Sequence, residues 1–341
     1  MNSKIVALRT VSLVLVPIVV ALLVYRFLVG AIATPADPAN TTEVSVEIQP
    51  GMTFRDVCRT LKERGIIRYS RGLEILAKIK GKPTDKISSG EYMLSAAMEP
   101  GAILEKLVSG DIVKRKVMLV EGMTIADLAR VVGESGLIPA EEMTRALKDQ
   151  GLLARAGISS PSFEGYLDPE TYIFSRPVTA QEIIWKMLLQ AESKWPQEFT
   201  DQADKLGLSR HEVLTLASVI QKESGKADEY ATISSVFHNR LKAGMKLQSD
   251  PTVIYGLQNF NGNLTKEDLQ NPHPYNTYVN FGLPPAPICN PNVAAIRAAL
   301  FPTETQYLFF VADGSGGHTF SATLTEHNEA VQRIIGGIEK K

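Results

Sequence analysis

The sequence predicts an α+β protein, and three features of the chain indicate this class. A long apolar stretch opens the 341-residue chain, a strand-and-helix unit then occurs twice, and the remainder is mainly helical with one hairpin. We divide the chain into a cytoplasmic tail with a transmembrane anchor (1–33), a tether (34–43), a repeat region (44–150) and a C-terminal domain (151–341). The length allows two folded domains beyond the anchor.

The first 33 residues contain the predicted transmembrane helix. Lys4 and Arg9 precede an apolar stretch that Arg26 interrupts near its far end. About 24 such residues cross a hydrocarbon core about 30 Å thick, and positive charges mark the cytoplasmic end of a span. We therefore expect a single-pass anchor with everything after residue 34 outside the cytoplasm. The alternative is a cleaved signal peptide, because residues 31–33 (Ala-Ile-Ala) resemble a cleavage site.

Residues 50–57 and 121–128 are copies of one unit that contains Gly-Met-Thr. Each copy reads as a strand, a glycine turn and a helix, with strands at 44–48 and 117–120. The helices begin at Thr53 and Thr124, each followed three positions later by Asp. This spacing predicts a capping box with Asp in place of Glu.

A related half-copy lies between the two units. Residues 90–94 read as a strand, and residues 100–107 repeat the step from glycine to helix. Such small strand-and-helix units with a glycine turn resemble LysM modules, which bind chains of N-acetylglucosamine. The alternative is that the repeat only builds a structural platform.

The C-terminal domain is predicted to be mainly helical. Apolar spacing and terminal Gly or Pro predict helices at 181–194, 211–224, 228–243, 291–300 and 324–338. Strands at 307–312 and 318–321 enclose a glycine-rich turn. We interpret this turn as part of a hairpin rather than a phosphate loop, because no Gly-Lys-Ser/Thr motif follows.

The composition limits the classes of ligand. With 36 basic and 37 acidic residues the net charge is -1, so no overall field attracts nucleic acid, and we predict none as a partner. The five histidines form neither HxH nor HExxH, and we predict no metal and no cofactor. Cys58 and Cys289 either form a disulfide or remain as two buried free thiols.

Glu223 is the first candidate for a catalytic residue. It ends an apolar stretch that begins at Leu214, and Gly225 stops the predicted helix. At 100° per residue, Glu223 lies at the edge of the buried face that Leu216 and Ile220 define. Partial removal of water and the negative end of the helix favour the neutral acid, with a pKa of about 6. The pattern predicts a general acid that acts on a sugar polymer, and the alternative is a solvated surface glutamate.

Other residues offer a second carboxylate or a binding surface. Glu164 and Glu170 are candidates for a second acid, whereas Asp250 before Pro251 and Asn290 before Pro291 are typical of helix N-caps. Residues 273–285 are rich in Tyr, Asn and Pro. Tyr rings pack on sugar faces and amides bind hydroxyl groups, so this stretch forms either a saccharide groove or a rigid surface loop.

Several long motifs, in this order along the chain, closely resemble the endolytic murein transglycosylase family, the MltG or YceG-like proteins. They are 217–223 (Ala-Ser-Val-Ile-Gln-Lys-Glu), 237–241 (Phe-His-Asn-Arg-Leu), 249–256 (Ser-Asp-Pro-Thr-Val-Ile-Tyr-Gly), 275–278 (Tyr-Asn-Thr-Tyr), 282–285 (Gly-Leu-Pro-Pro) and 316–320 (Gly-Gly-His-Thr-Phe). The likeness begins near residue 45 and is densest from 211 to 328. The family's catalytic glutamate falls on Glu223. The best-known members carry Glu where this chain has Gln221, which leaves that assignment intact.

The resemblance implies a mechanism with one carboxylate. Glu223 would protonate the glycosidic oxygen between N-acetylmuramic acid and N-acetylglucosamine, then take the proton of the C6 hydroxyl, which closes onto C1 as a 1,6-anhydro ring. The enzyme would cut nascent glycan strands internally and terminate their elongation, anchored in the inner membrane with its catalytic part in the periplasm. Peptidoglycan strands are the implied substrate, and peptidoglycan polymerases are the partners that family analogy suggests.

We expect nine further side chains to line or shape the glycan groove. They are Glu164, Asn239, Gln248, Asp250, Tyr255, Tyr275, Asn276, Tyr278 and His318. Two alternatives remain at this point. The chain is then either a non-catalytic glycan-binding scaffold, or a hydrolase in which Asp250 or Glu164 activates water.

Overall fold

The structure, a computed structural model, describes residues 17–26, 30, 32–85, 87–257 and 260–338. Most of the predicted anchor lies outside these residues. In the part of the chain that is described, no helix combines the length and the apolar character needed to cross a membrane. The predicted mixture of helices and strands is confirmed.

The described chain forms two compact units. The smaller unit ends at Arg115 and also includes Phe174–Pro177, and the larger unit comprises Lys116–Ile173 and the chain from Val178 onward. The second copy of the sequence repeat therefore belongs to the larger unit.

The smaller unit has the order strand, helix, helix, strand, helix. β1 (Val44–Ile48) and β2 (Gly90–Leu94) have the bounds predicted from the sequence, and the structure shows that they pair antiparallel. The helices are Phe54–Glu63, Ser70–Ile79 and Pro100–Ser109. Side chains from both strands and all three helices form one apolar core, which also encloses Cys58.

The larger unit begins with a related order of elements. β3 (Arg115–Met118) pairs with β4 (Thr171–Phe174), and three helices lie between them along the chain, at Ile125–Glu134, Ala140–Ala146 and Gln150–Arg155. Both predicted capping boxes are confirmed. At each one, the Thr hydroxyl accepts from the backbone N–H three residues on, and the Asp there accepts from the Thr backbone N–H.

The five helices predicted for the rest of the larger unit are confirmed, with ends that differ by two residues or fewer, whereas Gln197–Leu206 and Lys266–Gln270 were not predicted from the sequence. The helices are Ala180–Ser193, Gln197–Leu206, Arg210–Glu223, Tyr230–Lys242, Asp250–Gly256, Lys266–Gln270, Val293–Leu300 and Leu324–Ile338. The predicted hairpin is confirmed as β5 (Phe309–Ala312) and β6 (His318–Ser321), which pair antiparallel.

The helix Arg210–Glu223, called the Glu223 helix below, is the centre of this unit. A capping box of Ser209 and Glu212 begins it. Every residue from 213 to 220 is buried, whereas the sequence analysis assigned only one buried face. The difference arises because several helices pack against it, among them Val293–Leu300 and Tyr230–Lys242.

Candidate active site

Glu223 is the last residue of its helix, and its side chain is half-buried. The helix stops there because Ser224 adopts an extended conformation. The carboxyl oxygen Oε1 accepts a hydrogen bond from the hydroxyl of Ser249. Ser249 is buried in the loop that leads into the helix Asp250–Gly256. Two segments that are distant in sequence therefore meet at this carboxyl group.

Burial raises the pKa of the Glu223 carboxyl to about 7, because the surrounding protein keeps water away from the charged form. The hydrogen bond from Ser249 opposes this rise, and the negative charge of Asp250 adds to it. The predicted direction of the shift is confirmed. A carboxylic acid with this pKa is partly protonated at neutral pH, as a general acid must be.

Backbone and hydroxyl contacts fix the position of Ser249. Its N–H donates to Thr277 Oγ1 over 3.0 Å, and its carbonyl oxygen accepts from Thr252 Oγ1 over 2.6 Å. The preceding residue, Gln248, has a φ of 50°, which non-glycine residues rarely adopt. Ser249 occupies the N-cap position but directs its hydroxyl to Glu223. The prediction that Asp250 is the N-cap is therefore wrong by one residue, since the helix begins at Asp250.

Asp250 places a second carboxylate near Glu223. It is exposed, and its Oδ1 accepts a hydrogen bond of 2.6 Å from the hydroxyl of Tyr278. The backbone N–H of Tyr278 donates to Asn276 Oδ1 over 2.9 Å, which fixes the loop that carries the tyrosine. Tyr278 therefore sets the orientation of Asp250 beside the general acid.

Arg240 and, when its ring is protonated, His318 bring positive charge near Glu223, and both charges act to lower its pKa. Arg240 is buried and donates through Nε to Leu308 O over 2.6 Å. His318 is held by Glu229, whose Oε2 lies 2.7 Å from the ring nitrogen Nδ1. These charges are placed where they favour the carboxylate that remains after Glu223 has given up its proton.

The structure brings four of the nine predicted groove residues to the Glu223 region, namely Gln248, Asp250, Tyr278 and His318. Asn276 is buried, and its amide Nδ2 donates to three backbone carbonyls between 268 and 271. The Nδ2 of Asn239 likewise donates to two carbonyls, those of residues 305 and 307, each over 3.0 Å. Both amides therefore order loops around the site.

The other three predicted residues, Glu164, Tyr255 and Tyr275, form a second cluster. Glu164 is buried, and it accepts hydrogen bonds from the Ile125 N–H, the Tyr255 hydroxyl and the Asn290 amide at 3.1 to 3.3 Å. Burial raises its pKa to about 8 despite these donors. The rings of Tyr255 and Tyr275 lie 4.9 Å apart.

Asn290 links the segments of the second cluster. Its Oδ1 accepts from the N–H groups of Gly165 and Leu167, and its Nδ2 donates to Met123 O over 3.1 Å. The predicted N-cap role for Asn290 is wrong, because Asn292 caps the following helix. The Asn-Pro-Asn order in the sequence left two residues competing for that role.

Ser249 and Arg240 were not singled out from the sequence, and Asn290 was assigned a helix N-cap rather than a bridge between segments. Ser249 and Arg240 both lie within motifs that carry the family resemblance, which was the available signal. Gln221, two residues before Glu223, donates to the Tyr230 hydroxyl and accepts from the Asn292 N–H. It therefore joins helices rather than facing the acid.

Comparison with known proteins gives concordant matches. The model of the YceG-like family matches residues 46–333. The chain is 30% identical over 331 residues to the endolytic murein transglycosylase of Bacillus subtilis (strain 168), covering 92% of this chain and 91% of that protein. A protein of the same name from Streptococcus pneumoniae serotype 2 (strain D39) is 26% identical over 336 residues, and the match covers 89% of this chain and 60% of the relative.

A solved structure agrees with these sequence matches. The 2.6 Å crystal structure of a yceG-like protein from Listeria monocytogenes superposes with a TM-score of 0.59 at 32% identity. The superposition covers 84% of this chain and 99% of the Listeria chain. The family match extends over both compact units and includes Glu223, Ser249 and Asp250. The chain belongs to the YceG-like family.

Proposed function

We propose that this protein is an endolytic lytic transglycosylase that cleaves the bond between N-acetylmuramic acid and N-acetylglucosamine in peptidoglycan. The observation that carries the proposal is the Glu223 carboxyl, half-buried at a helix end with a pKa of about 7. The relatives named endolytic murein transglycosylase support the choice of substrate. Cleavage within nascent strands would terminate their elongation.

In the first step Glu223 donates its proton to the glycosidic oxygen. The leaving sugar departs with that proton, and positive charge develops at C1 of the muramoyl residue. The hydroxyl of Ser249 is already placed to donate to the carboxylate that forms on Glu223. Because hydrogen bonds to a charged group are stronger than those to a neutral one, this contact strengthens as the proton leaves.

In the second step the Glu223 carboxylate takes the proton of the muramoyl C6 hydroxyl. The C6 oxygen then bonds to C1 and closes a 1,6-anhydro ring, so the acid is regenerated and no water is consumed. The sequence of donation and acceptance suits a group whose pKa lies near 7, since both forms are accessible at neutral pH.

Mass spectrometry of the products tests this proposal. The purified full chain is incubated with glycan strands, and we expect fragments that end in 1,6-anhydro-muramic acid. Glu223→Gln should lower the rate by at least about 100-fold, the lower range for loss of a general acid. Glu198→Gln, an exposed glutamate paired with Arg297, is the matched control and should retain the rate. Cleavage by Glu223→Gln at the rate of the control would exclude the proposed role.

One observation favours hydrolysis as a second candidate. Asp250 lies close enough to influence the pKa of Glu223 and is exposed, so it could activate a water molecule. Glu164 belongs to the second cluster, where its carboxyl oxygens already accept hydrogen bonds from the Ile125 N–H and the Tyr255 hydroxyl. Products with reducing ends, lost in Asp250→Asn, would support the hydrolase.

We also propose that residues 1–33 anchor the protein in the inner membrane with the catalytic part in the periplasm. The support is the apolar stretch with Lys4 and Arg9 on its amino-terminal side. A reporter that is active only outside the cytoplasm, fused after residue 341, should be active. If a reporter that works only in the cytoplasm is active at this position and the first reporter is not, the topology is contradicted.

The repeat supports a separation of glycan binding and catalysis into two regions of the chain. We propose that residues 44–150 act as a LysM-like glycan-binding region ahead of a catalytic domain at 151–341, and that the enzyme works beside peptidoglycan polymerases. The full chain with Glu223→Gln should sediment with purified glycan strands, and in-cell crosslinking should capture a polymerase. Recovery of the chain in the supernatant would contradict glycan binding.

A further inference from the structure

A cavity of about 620 Å³ lies beside the second cluster, within the larger unit. Its walls are mostly apolar and include Leu147, Ile254 and Ile288, and the buried Glu164 carboxyl forms part of the polar lining. Ile125, whose N–H binds Glu164, also faces the space. Cavities of this size with apolar walls and few polar groups are typical of ligand sites.

Two lysines give the cavity a positive rim. Lys148 and Lys222 both line it and are exposed. Among the residues that the structure describes, no carboxylate lies within 4 Å of either ammonium group, and Lys222 Nζ reaches only Gly122 O, over 3.5 Å. Glu164 is the acidic member of the lining, and burial keeps it largely protonated at neutral pH by raising its pKa to about 8. The cavity therefore favours an anion with an apolar body.

The cavity adjoins the candidate active site through the chain itself. Lys222 directly precedes Glu223, and Pro251, which also lines the cavity, directly follows Asp250. Successive residues have Cα atoms about 3.8 Å apart, so the rim begins within one residue of the acid and of its neighbouring carboxylate. Two chain segments therefore lead from the cavity lining directly into the candidate active site, which places a ligand in the cavity near a sugar held at Glu223.

Peptidoglycan carries such a ligand on the reacting sugar. The glycan backbone is neutral where its lactyl groups are amide-linked to peptides, and the carboxylates of the polymer then belong to those short, alanine-rich peptides. The peptide is attached to the same muramoyl residue whose glycosidic bond is cut. We propose that this cavity binds the carboxylate-bearing stem peptide of that muramoyl residue, with Lys148 and Lys222 binding its carboxylates. The inference rests on the proposed function for the identity of the polymer.

Binding of a synthetic peptide tests the inference without bond cleavage. The probe is a short peptide of alanine and γ-linked glutamate with free carboxylates, titrated into the full chain carrying Glu223→Gln, and its amide is titrated in parallel. We expect saturable binding of the free acid and at least about tenfold weaker binding of the amide, a difference of about 1.4 kcal/mol. Lys148→Gln should lower the affinity for the acid about tenfold and bring it close to that of the amide.

Lys205→Gln is the matched control, because Lys205 is exposed on another helix and does not line the cavity. It should bind the free acid as tightly as the parent chain, and equal melting temperatures establish that each variant folds. Equal affinities for acid and amide, no binding, or no effect of Lys148→Gln would each overturn the proposal. Because this experiment measures binding and not products, a failure to bind the peptide is distinguishable from a failure to form anhydro ends.

Discussion

Replacing Ser249 with alanine is expected to move the pH profile of activity to higher pH. The hydroxyl of Ser249 donates to Glu223 Oε1 and lowers the pKa of that carboxyl, against the larger effect of burial. Without this donor the charged form of Glu223 loses a partner. A general acid must carry its proton, so kcat/KM falls as the pH rises through the pKa, and a higher pKa extends activity upward.

The size of the shift follows from the strength of the lost bond. A hydrogen bond to a charged group contributes about 1.5–3 kcal/mol, and one to a neutral group about 0.5–1.5 kcal/mol. The difference of about 1–1.5 kcal/mol corresponds to about one pKa unit. Starting from a pKa of about 7, the protonated fraction of Glu223 at pH about 8 should rise from about a tenth to about a half.

The assay is kcat/KM for glycan cleavage across pH about 5 to 9, read as the midpoint of the alkaline limb. The height of the plateau should also fall, because Ser249 positions the carboxyl group, but the midpoint is independent of that loss. Asp250→Asn is the companion variant, and it should move the midpoint downward, since the charge of Asp250 raises the pKa of Glu223. Midpoints that stay in place, or move in the same direction, would refute the assignment of these contacts.

Three further predictions concern other parts of the molecule. The pKa of Glu164 is raised to about 8, so the folded state keeps a proton that the unfolded chain loses near pH about 4.3. Stability should therefore fall as the pH rises between these two values. Melting temperatures should show a less steep fall in Glu164→Gln. Gly165→Ala should destabilise the protein by at least about 2 kcal/mol in urea unfolding, because φ is +83° and a Cβ would lie 2.3 Å from Pro287; an unchanged midpoint would contradict this. Cys58 and Cys289 are buried free thiols with raised pKa values, so both should resist alkylation until the chain is denatured, as mass spectrometry would show.

Local features of the fold were predictable because short-range chemistry determines them. The capping boxes at Thr53 and Thr124 depend only on residues three positions apart, and both formed as expected. The Glu223 helix was recognisable from its apolar stretch and its end, and so was the raised pKa of the acid. The glycine-rich turn after β5 was likewise identifiable as a hairpin.

Partnerships across long sequence separations were not predictable. Ser249 contacts Glu223 only because the helix Asp250–Gly256 packs in the larger unit, and nothing local in the sequence distinguishes its hydroxyl from that of an ordinary N-cap. Asn276 and Tyr278 are two residues apart, yet the first is buried in a loop and the second reaches Asp250. The composition of residues 273–285 identified this loop as part of the site, but only the tertiary structure shows what Asn276 and Tyr278 each contact.

Cleavage in water enriched in heavy oxygen tests the central claim, the intramolecular reaction of Glu223, most directly. If the muramoyl C6 hydroxyl attacks C1, the new ends are one water lighter than reducing ends and contain no heavy oxygen. We therefore predict unlabelled anhydro ends from the parent chain, and no new ends above background from Glu223→Gln. Heavy oxygen at C1 of the muramoyl ends, incorporated during cleavage by the parent chain, would contradict the account and favour hydrolysis.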